Sequence, residues 1–152
     1  MRRVTVEVEV LSEVTDEVVE AFGRLLPQLS RSAPPLSQAA LAAIVSAPAV
    51  SVLVARSDGA IRGTLTLAMF PIPTGLRAWI EDVVVDDAAR GQGVGAALTQ
   101  EALRIARAAG ARTVDLTSRP SRAAAGRLYE RLGFETRETR MYRYPLDRPA
   151  SS

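Results

Sequence analysis

Val4, Val6, Val8 and Val10 alternate with polar residues, the period-two pattern of a strand with one buried face. The period then lengthens. Thr15 to Leu29 carries apolar residues at helical spacing with Thr15 placed as an N-cap, and the stretch Ser30 to Pro35 breaks it. Ser37 to Ser46 predicts a second short helix, closed by Pro48. Val50 to Arg56 and Ile61 to Phe70 flank Asp58-Gly59, a strong two-residue hairpin signal. The stretch PIPTG (Pro71 to Gly75) reads as a loop before a strand from Ala78 to Val85. Val94, Leu98, Ala102, Ile105 and Ala109 line one face of the next helix, which Gly110 stops. Thr113 to Thr117 predicts a strand, Ser121 to Leu132 a helix with Gly133 at its C-terminus, and Phe134 to Tyr144 a last extended segment.

The resulting order, β-α-α-β-β-β-α-β-α-β, predicts an α/β fold with a mixed central sheet and helices on both faces. The antiparallel hairpins come first, and a right-handed parallel crossover joins Trp79–Val85 to Thr113–Thr117. A ligand is expected where the C-terminal ends of those two strands diverge. The length of 152 residues suits a single domain, read here as residues 1–147 with a short tail at 148–152.

Composition restricts the chemistry. All 19 basic residues are arginine, and lysine, histidine, cysteine and asparagine are absent. That excludes a lysine Schiff base, a Walker-type phosphate loop, a Ser-His-Asp triad and a thiol nucleophile, and leaves little prospect of a metal site. Asp, Glu and Tyr remain, so the reaction must need only a carboxylate and a phenol, or draw its activated group from a cofactor. The net charge is +2 with a pI of 9.6, and acids are interspersed among the arginines, so no basic stripe points to nucleic acid. The start lacks a continuous apolar signal region, and no apolar run approaches the roughly 18 residues of a membrane span. A soluble cytoplasmic protein without a membrane partner is the expectation.

The chemistry-bearing stretch is WIEDVVVDDAARGQGVGAAL, Trp79 to Leu98. A strand carrying Glu81 and Asp82 runs into a glycine-rich turn that opens a helix. Arg90, Gly91, Gln92, Gly93, Val94 and Gly95 can present unpaired backbone N–H groups and the positive end of the helix dipole to an anion such as a pyrophosphate. Arg90 adds a charge at the mouth, and the glycines let a phosphate approach the backbone.

These residues resemble the GNAT N-acetyltransferase superfamily. RGQGVG fits its R/Q-x-x-G-x-G/A signature through Arg90, Gly93 and Gly95. The strand end Val83 to Val85, the closing LYERLGF (Leu128 to Phe134) and the element order agree, so the resemblance covers most of the chain from Val50 onward. WIEDVVV also looks like the strand HIEDIAV of glucosamine-6-phosphate N-acetyltransferases. The resemblance implies acetyl-CoA as co-substrate, its pantetheine along the backbone of Val83, Val84 and Val85 and its pyrophosphate on Gln92 to Gly95. It implies direct attack by an amine, with no enzyme nucleophile and no metal. A homodimer is the family-level expectation.

Direct transfer needs an acid for the leaving thiolate and a base for the amine proton. Tyr129 is the leading acid, since a phenol near pKa 10 is matched to a thiolate near about 8.5. For the base, Glu81 and Asp82 are expected on opposite strand faces, and Glu81, acting through a water, is favoured as sharing the face of Val83 and Val85. Arg122, with Arg119, is placed to hold a CoA phosphate, although many family members carry asparagine at the Arg122 position. Each residue has a plainer reading: Tyr129 as a core tyrosine, the carboxylate pair as a solvated strand end, Asp86 and Asp87 as loop acids. The acceptor, a small-molecule or peptide amine, is expected to be shaped by the two N-terminal helices, residues 30–36 and PIPTG. Two rival functions remain: a non-catalytic acyl-CoA-binding module, and a dinucleotide-binding oxidoreductase built on Gly91, Gly93, Ala96 and Asp115. Against the second, Asp86 to Ala89 separate the strand from the glycines, and the chain after Val114 is too short for a second mononucleotide half.

Overall fold

The computed structural model describes residues 5–147, so Val4 and the tail at 148–152 lie outside the described residues. The chain divides into two compact units between Ser118 and Arg119.

The first unit is a five-stranded sheet in the order β1-β2-β3-β4-β5. Its strands are β1 (Val6–Val10), β2 (Val50–Ser57), β3 (Ala60–Ile72), β4 (Gly75–Val85) and β5 (Thr113–Asp115). Every pairing is antiparallel except β4 with β5, which is parallel. The helices are α1 (Asp16–Leu29), α2 (Gln38–Ser46) and α3 (Val94–Ala108). The predicted N-cap forms, Thr15 Oγ1 accepting from the Val18 N–H at 3.3 Å, and Ser37 caps α2 in the same way, its Oγ accepting from the Ala40 N–H at 3.1 Å.

Helices cover both faces of the sheet, as the pattern predicts. Residues opposite one another in an antiparallel pair share a face. On one face Val52, Val54 and Val84 join Val18, Ala21, Phe22 and Leu25 of α1 and Leu41 of α2 in one buried cluster. Burying each large member stabilises the fold by about 1.5–3 kcal/mol. On the other face Leu53, paired with Leu65, and Ala55, paired with Gly63, meet α3. Contact is closest at Gly63, where a Cβ would lie 2.6 Å from Val94 Cγ1 and 3.0 Å from the Val84 carbonyl oxygen. The face of β1 is less covered than its alternation predicts, because β1 is an edge strand: Val6 and Val8 are half-buried and Val10 is exposed.

Two expectations change in this unit. PIPTG is not a loop, because Pro71 and Ile72 continue β3 and pair with Leu76 and Gly75, leaving Pro73–Thr74 as a tight tip. That tip is at the N-terminal end of β4, about 20 Å from Glu81 at roughly 3.3 Å per residue, so it does not border the carboxylates. The parallel pairing is also short. It runs from Arg77↔Thr113 to Trp79↔Asp115, while β4 continues to Val85.

The second unit carries α4 (Ala123–Arg131). The helix ends in a Schellman arrangement: the Gly133 N–H bonds the Glu130 carbonyl at 3.1 Å and the Phe134 N–H bonds the Tyr129 carbonyl at 2.9 Å. Gly133 takes the left-handed φ of 101° that this stop requires. Beyond it, the expected final strand is absent: no ladder forms between Phe134 and Tyr144, and Met141, Tyr142 and Tyr144 are exposed. Its sequence, ETRETRMYRY, puts arginine or glutamate on both faces of any strand, so neither face offers a continuous apolar surface to bury.

Candidate functional site

The site is built from β4 upward. Between Thr64↔Val84 and Thr66↔Glu81 the β3–β4 register shifts, so Asp82 and Val83 together oppose Leu65. This is a β-bulge, and Asp82 sits in it with a left-handed φ of 50°. The extra residue changes the facing of the strand. Glu81, opposite Thr66, faces the α1–α2 side with Trp79 and Val84, whereas Val85, opposite Gly63, faces the α3 side. Glu81 therefore does not share the face of Val85, which corrects the expectation drawn from simple alternation. Both carboxylates are exposed, and among the described residues neither has a hydrogen-bond or ion-pair partner.

Because β5 stops beside Trp79, the backbone of Ile80 to Val85 on that edge has no strand partner among the described residues. Val83 and Val85 are half-buried and Val84 is buried in the α1–α2 cluster. Their side chains anchor the strand; what the strand can offer a ligand there is its edge N–H and C=O groups.

After Val85 the chain is clamped. Asp86 is buried rather than a solvated loop acid. Its carboxylate takes the Arg24 guanidinium of α1 and, at 3.4 Å, that of Arg62, and its Oδ1 accepts the Ala88 N–H at 3.1 Å. The Ala88 N–H, foremost, with Gln28, Arg24 and Arg62 holds the Asp86 carboxyl below the usual carboxylate range despite its burial. Gln28 Oε1 accepts the Asp87 N–H at 2.9 Å. A short 3₁₀ turn, Asp87–Ala89, then delivers Arg90, whose guanidinium is exposed and lies 2.7 Å from Asp87. That is a surface pair of small energetic weight, so the Arg90 charge stays available at the mouth of the turn.

Gly91 and Gly93 adopt φ of 79° and 81°, and nothing lies within 4 Å of where a Cβ would stand on either. The space a side chain would fill is open. Gly93 is the N-cap of α3, and the first intrahelical bond runs from the Ala97 N–H to the Gly93 carbonyl at 3.0 Å. The N–H groups of Val94, Gly95 and Ala96 precede it, and a glycine cap supplies them no side-chain acceptor. Val94 is itself buried toward Gly63, so it contributes backbone only. The turn thus has the donors and the clearance to receive a phosphate.

Sequence reading missed one polar residue here. Ser57, at the end of β2, donates its hydroxyl to Gln92 Oε1 at 2.9 Å. Its only sequence signal was a serine closing a strand before Asp58-Gly59.

In the second unit, Arg122 is the N-cap of α4 and makes no side-chain cap bond. Tyr129 is half-buried on the same helix, with its ring against Phe134. Burial pushes its phenol above the ordinary value, and the Arg122 charge pulls the other way.

The chain resembles known proteins along most of its length. It is 39% identical over 74 residues to N-alpha-acetyltransferase 30 of Schizosaccharomyces pombe, a match spanning 49% of this chain and 49% of that protein. It superposes on an acetyltransferase of Trypanosoma brucei with a TM-score of 0.76 at 33% identity, covering 93% of this chain and all of that one. It also superposes on a putative acetyltransferase of Agrobacterium tumefaciens with a TM-score of 0.80 at 26% identity, covering 91% and 99% of the two chains. The family model "Acetyltransferase (GNAT) family" matches residues 13–134, a span that takes in the bulged strand, the glycine turn and α4, and the chain belongs to that family.

Proposed function

We propose that this acetyltransferase moves the acetyl group of acetyl-CoA directly to a primary amine on a cationic small molecule or peptide amino terminus. The observation that carries the reading is the glycine turn: left-handed Gly91 and Gly93 with open space over them, followed by the N–H groups of Val94, Gly95 and Ala96, which precede the first intrahelical bond of α3 and have no side-chain cap. Gln92, Gly93, Val94 and Gly95 would hold the pyrophosphate, with Arg90 as a supporting charge, and the free edge of Val83 to Val85 would pair with the pantetheine amides. When bound, acetyl-CoA supplies an activated acyl thioester.

The protein's own groups then have limited tasks. A free carboxylate at Glu81 or Asp82 favours a cationic acceptor and takes up the amine proton, directly or through a water. Glu81 is the better placed of the two for an acceptor held by α1, α2 and residues 30–36, because it faces the α1–α2 side. Tyr129, whose phenol burial pushes above its ordinary value, is the acid that the family resemblance assigns to the departing thiolate.

Calorimetric titration with acetyl-CoA, NADH and NADPH, followed by thiol release against a panel of amines and peptide amino termini, tests this. Binding of acetyl-CoA alone, with thiol release, is expected. Acetyl-CoA binding with no transfer to any amine would make the protein a binding module, and binding of a nicotinamide cofactor alone would overturn the reading of the turn.

A further inference from the structure

The buried side chains of Thr64 and Thr99 satisfy their hydroxyls locally on backbone carbonyls, Leu53 at 2.9 Å and Gly95 at 2.7 Å. Ser57 does not. Only 2% exposed, it sends its hydroxyl across to the side chain of Gln92, which is the one non-glycine residue between Gly91 and Gly93. A buried hydroxyl requires a partner. Here the partner belongs to the most conformationally free segment of the turn.

The bond also orients an amide. A glutamine side chain has an accepting oxygen at one end and two N–H donors at the other. With Oε1 taken by Ser57, Nε2 is the end left over, and among the described residues it has no acceptor. It is not buried, because no buried side-chain nitrogen among the described residues lacks a partner. The Gln92 main chain is held as well, its N–H bonding the Ala89 carbonyl at 3.3 Å.

We infer that Ser57 is a positioning residue for the phosphate cradle: it holds Gln92 with its amide N–H groups outward and restrains the two flanking glycines before the ligand arrives. This rests on the cradle taking the pyrophosphate of acetyl-CoA. Ser57 itself touches no ligand in this arrangement; it acts through Gln92.

The test is a double-mutant cycle, with acetyl-CoA affinity measured calorimetrically for the wild type, Ser57→Ala, Gln92→Ala and the double variant. Ser57→Ala is expected to weaken binding about five- to tenfold, the scale of one pre-organised hydrogen bond. In the Gln92→Ala background the same change is expected to cost nothing more, and Ser57→Thr, which keeps the hydroxyl, is expected to restore affinity. Equal losses in both backgrounds would mean that Ser57 acts on folding generally and would overturn the inference. If Ser57→Ala does not fold, Gln92→Glu decides: it keeps an acceptor for Ser57 and removes the outward donor, so retained affinity would also overturn it. A wild type that binds no acetyl-CoA would remove the cofactor reading and this inference together, whereas a wild type that binds while Ser57→Ala binds equally well would remove this inference alone.

Discussion

The rings of Tyr129 and Phe134 meet edge to face, their centroids 5.6 Å apart and their planes at 65°. The contact follows from the helix stop. In a Schellman ending, the residue after the glycine folds back over the residue three positions inside the helix, and an apolar contact between the two is its usual companion. LYERLGF supplies the tyrosine, the glycine and the phenylalanine at those positions. The motif therefore fixes the tyrosine ring by local geometry and leaves its hydroxyl for other work.

Tyr129→Phe keeps that ring contact and removes only the hydroxyl. Turnover is expected to fall by about 10²–10⁴, the usual weight of a general acid, with acetyl-CoA affinity and thermal midpoint nearly unchanged. Steady-state kinetics with parallel calorimetry and thermal melts checks this. Undiminished turnover would leave Tyr129 a purely structural residue.

Gly93→Glu places a carboxylate where the cradle is open, at a φ of 81° that disfavours any side chain. Acetyl-CoA affinity is expected to fall more than about a hundredfold, or roughly 2.7 kcal/mol. Gly93→Ala, titrated alongside, separates the backbone strain from the charge.

Asp86→Asn removes the charge that Arg24 and Arg62 share and is expected to cost about 1–3 kcal/mol in urea unfolding at pH 7, toward the low end because both arginines are about one-third exposed. The pH dependence has a definite sign. The folded carboxyl titrates below its unfolded value of about 3.9, so its contribution is present above that pH and is lost as pH falls through the folded value. The variant is expected to lose less stability than the wild type on acidification below about pH 4. Parallel acid profiles would refute the assignment.

Asp82 occupies a left-handed conformation inside a strand. Asp82→Ala is expected to be less stable than Asp82→Gly by about 1 kcal/mol, since alanine meets the Cβ clash that glycine avoids. Chemical denaturation of the two variants measures the difference. Equal stability would mean that the bulge relaxes when the side chain is lost.

The parts of the fold that could be read from sequence are those governed by near neighbours. Thr15 and Ser37 cap the helices they precede, Asp58-Gly59 turns the hairpin, and Gly110 and Gly133 stop α3 and α4 with left-handed φ. The glycine turn belongs with them in part, because RGQGVG supplies the left-handed glycines Gly91 and Gly93. What could not be read depends on distant partners. The burial of Asp86 needs Arg24 and Arg62 on other elements, the role of Ser57 needs Gln92, and the bulge at Asp82 carries neither glycine nor proline to announce it. The segment after Phe134 failed for the opposite reason: its local pattern resembled a strand, but it has no apolar face to hold it in a sheet.

The bulge at Asp82 and Val83 has a consequence for rebuilding this protein. One extra residue sets the two ends of β4 out of phase, so Ile80 and Val85 both face α3 although their spacing in an unbroken strand would put them on opposite sides. Pairing Asp82 and Val83 as ordinary strand residues, with no residue removed, would leave the composition untouched and turn one half of the strand inside out. Any graft that exchanges this strand at equal length has to carry the bulge with it, or be shortened by one residue, if Ile80 and Val85 are to stay packed on the α3 side.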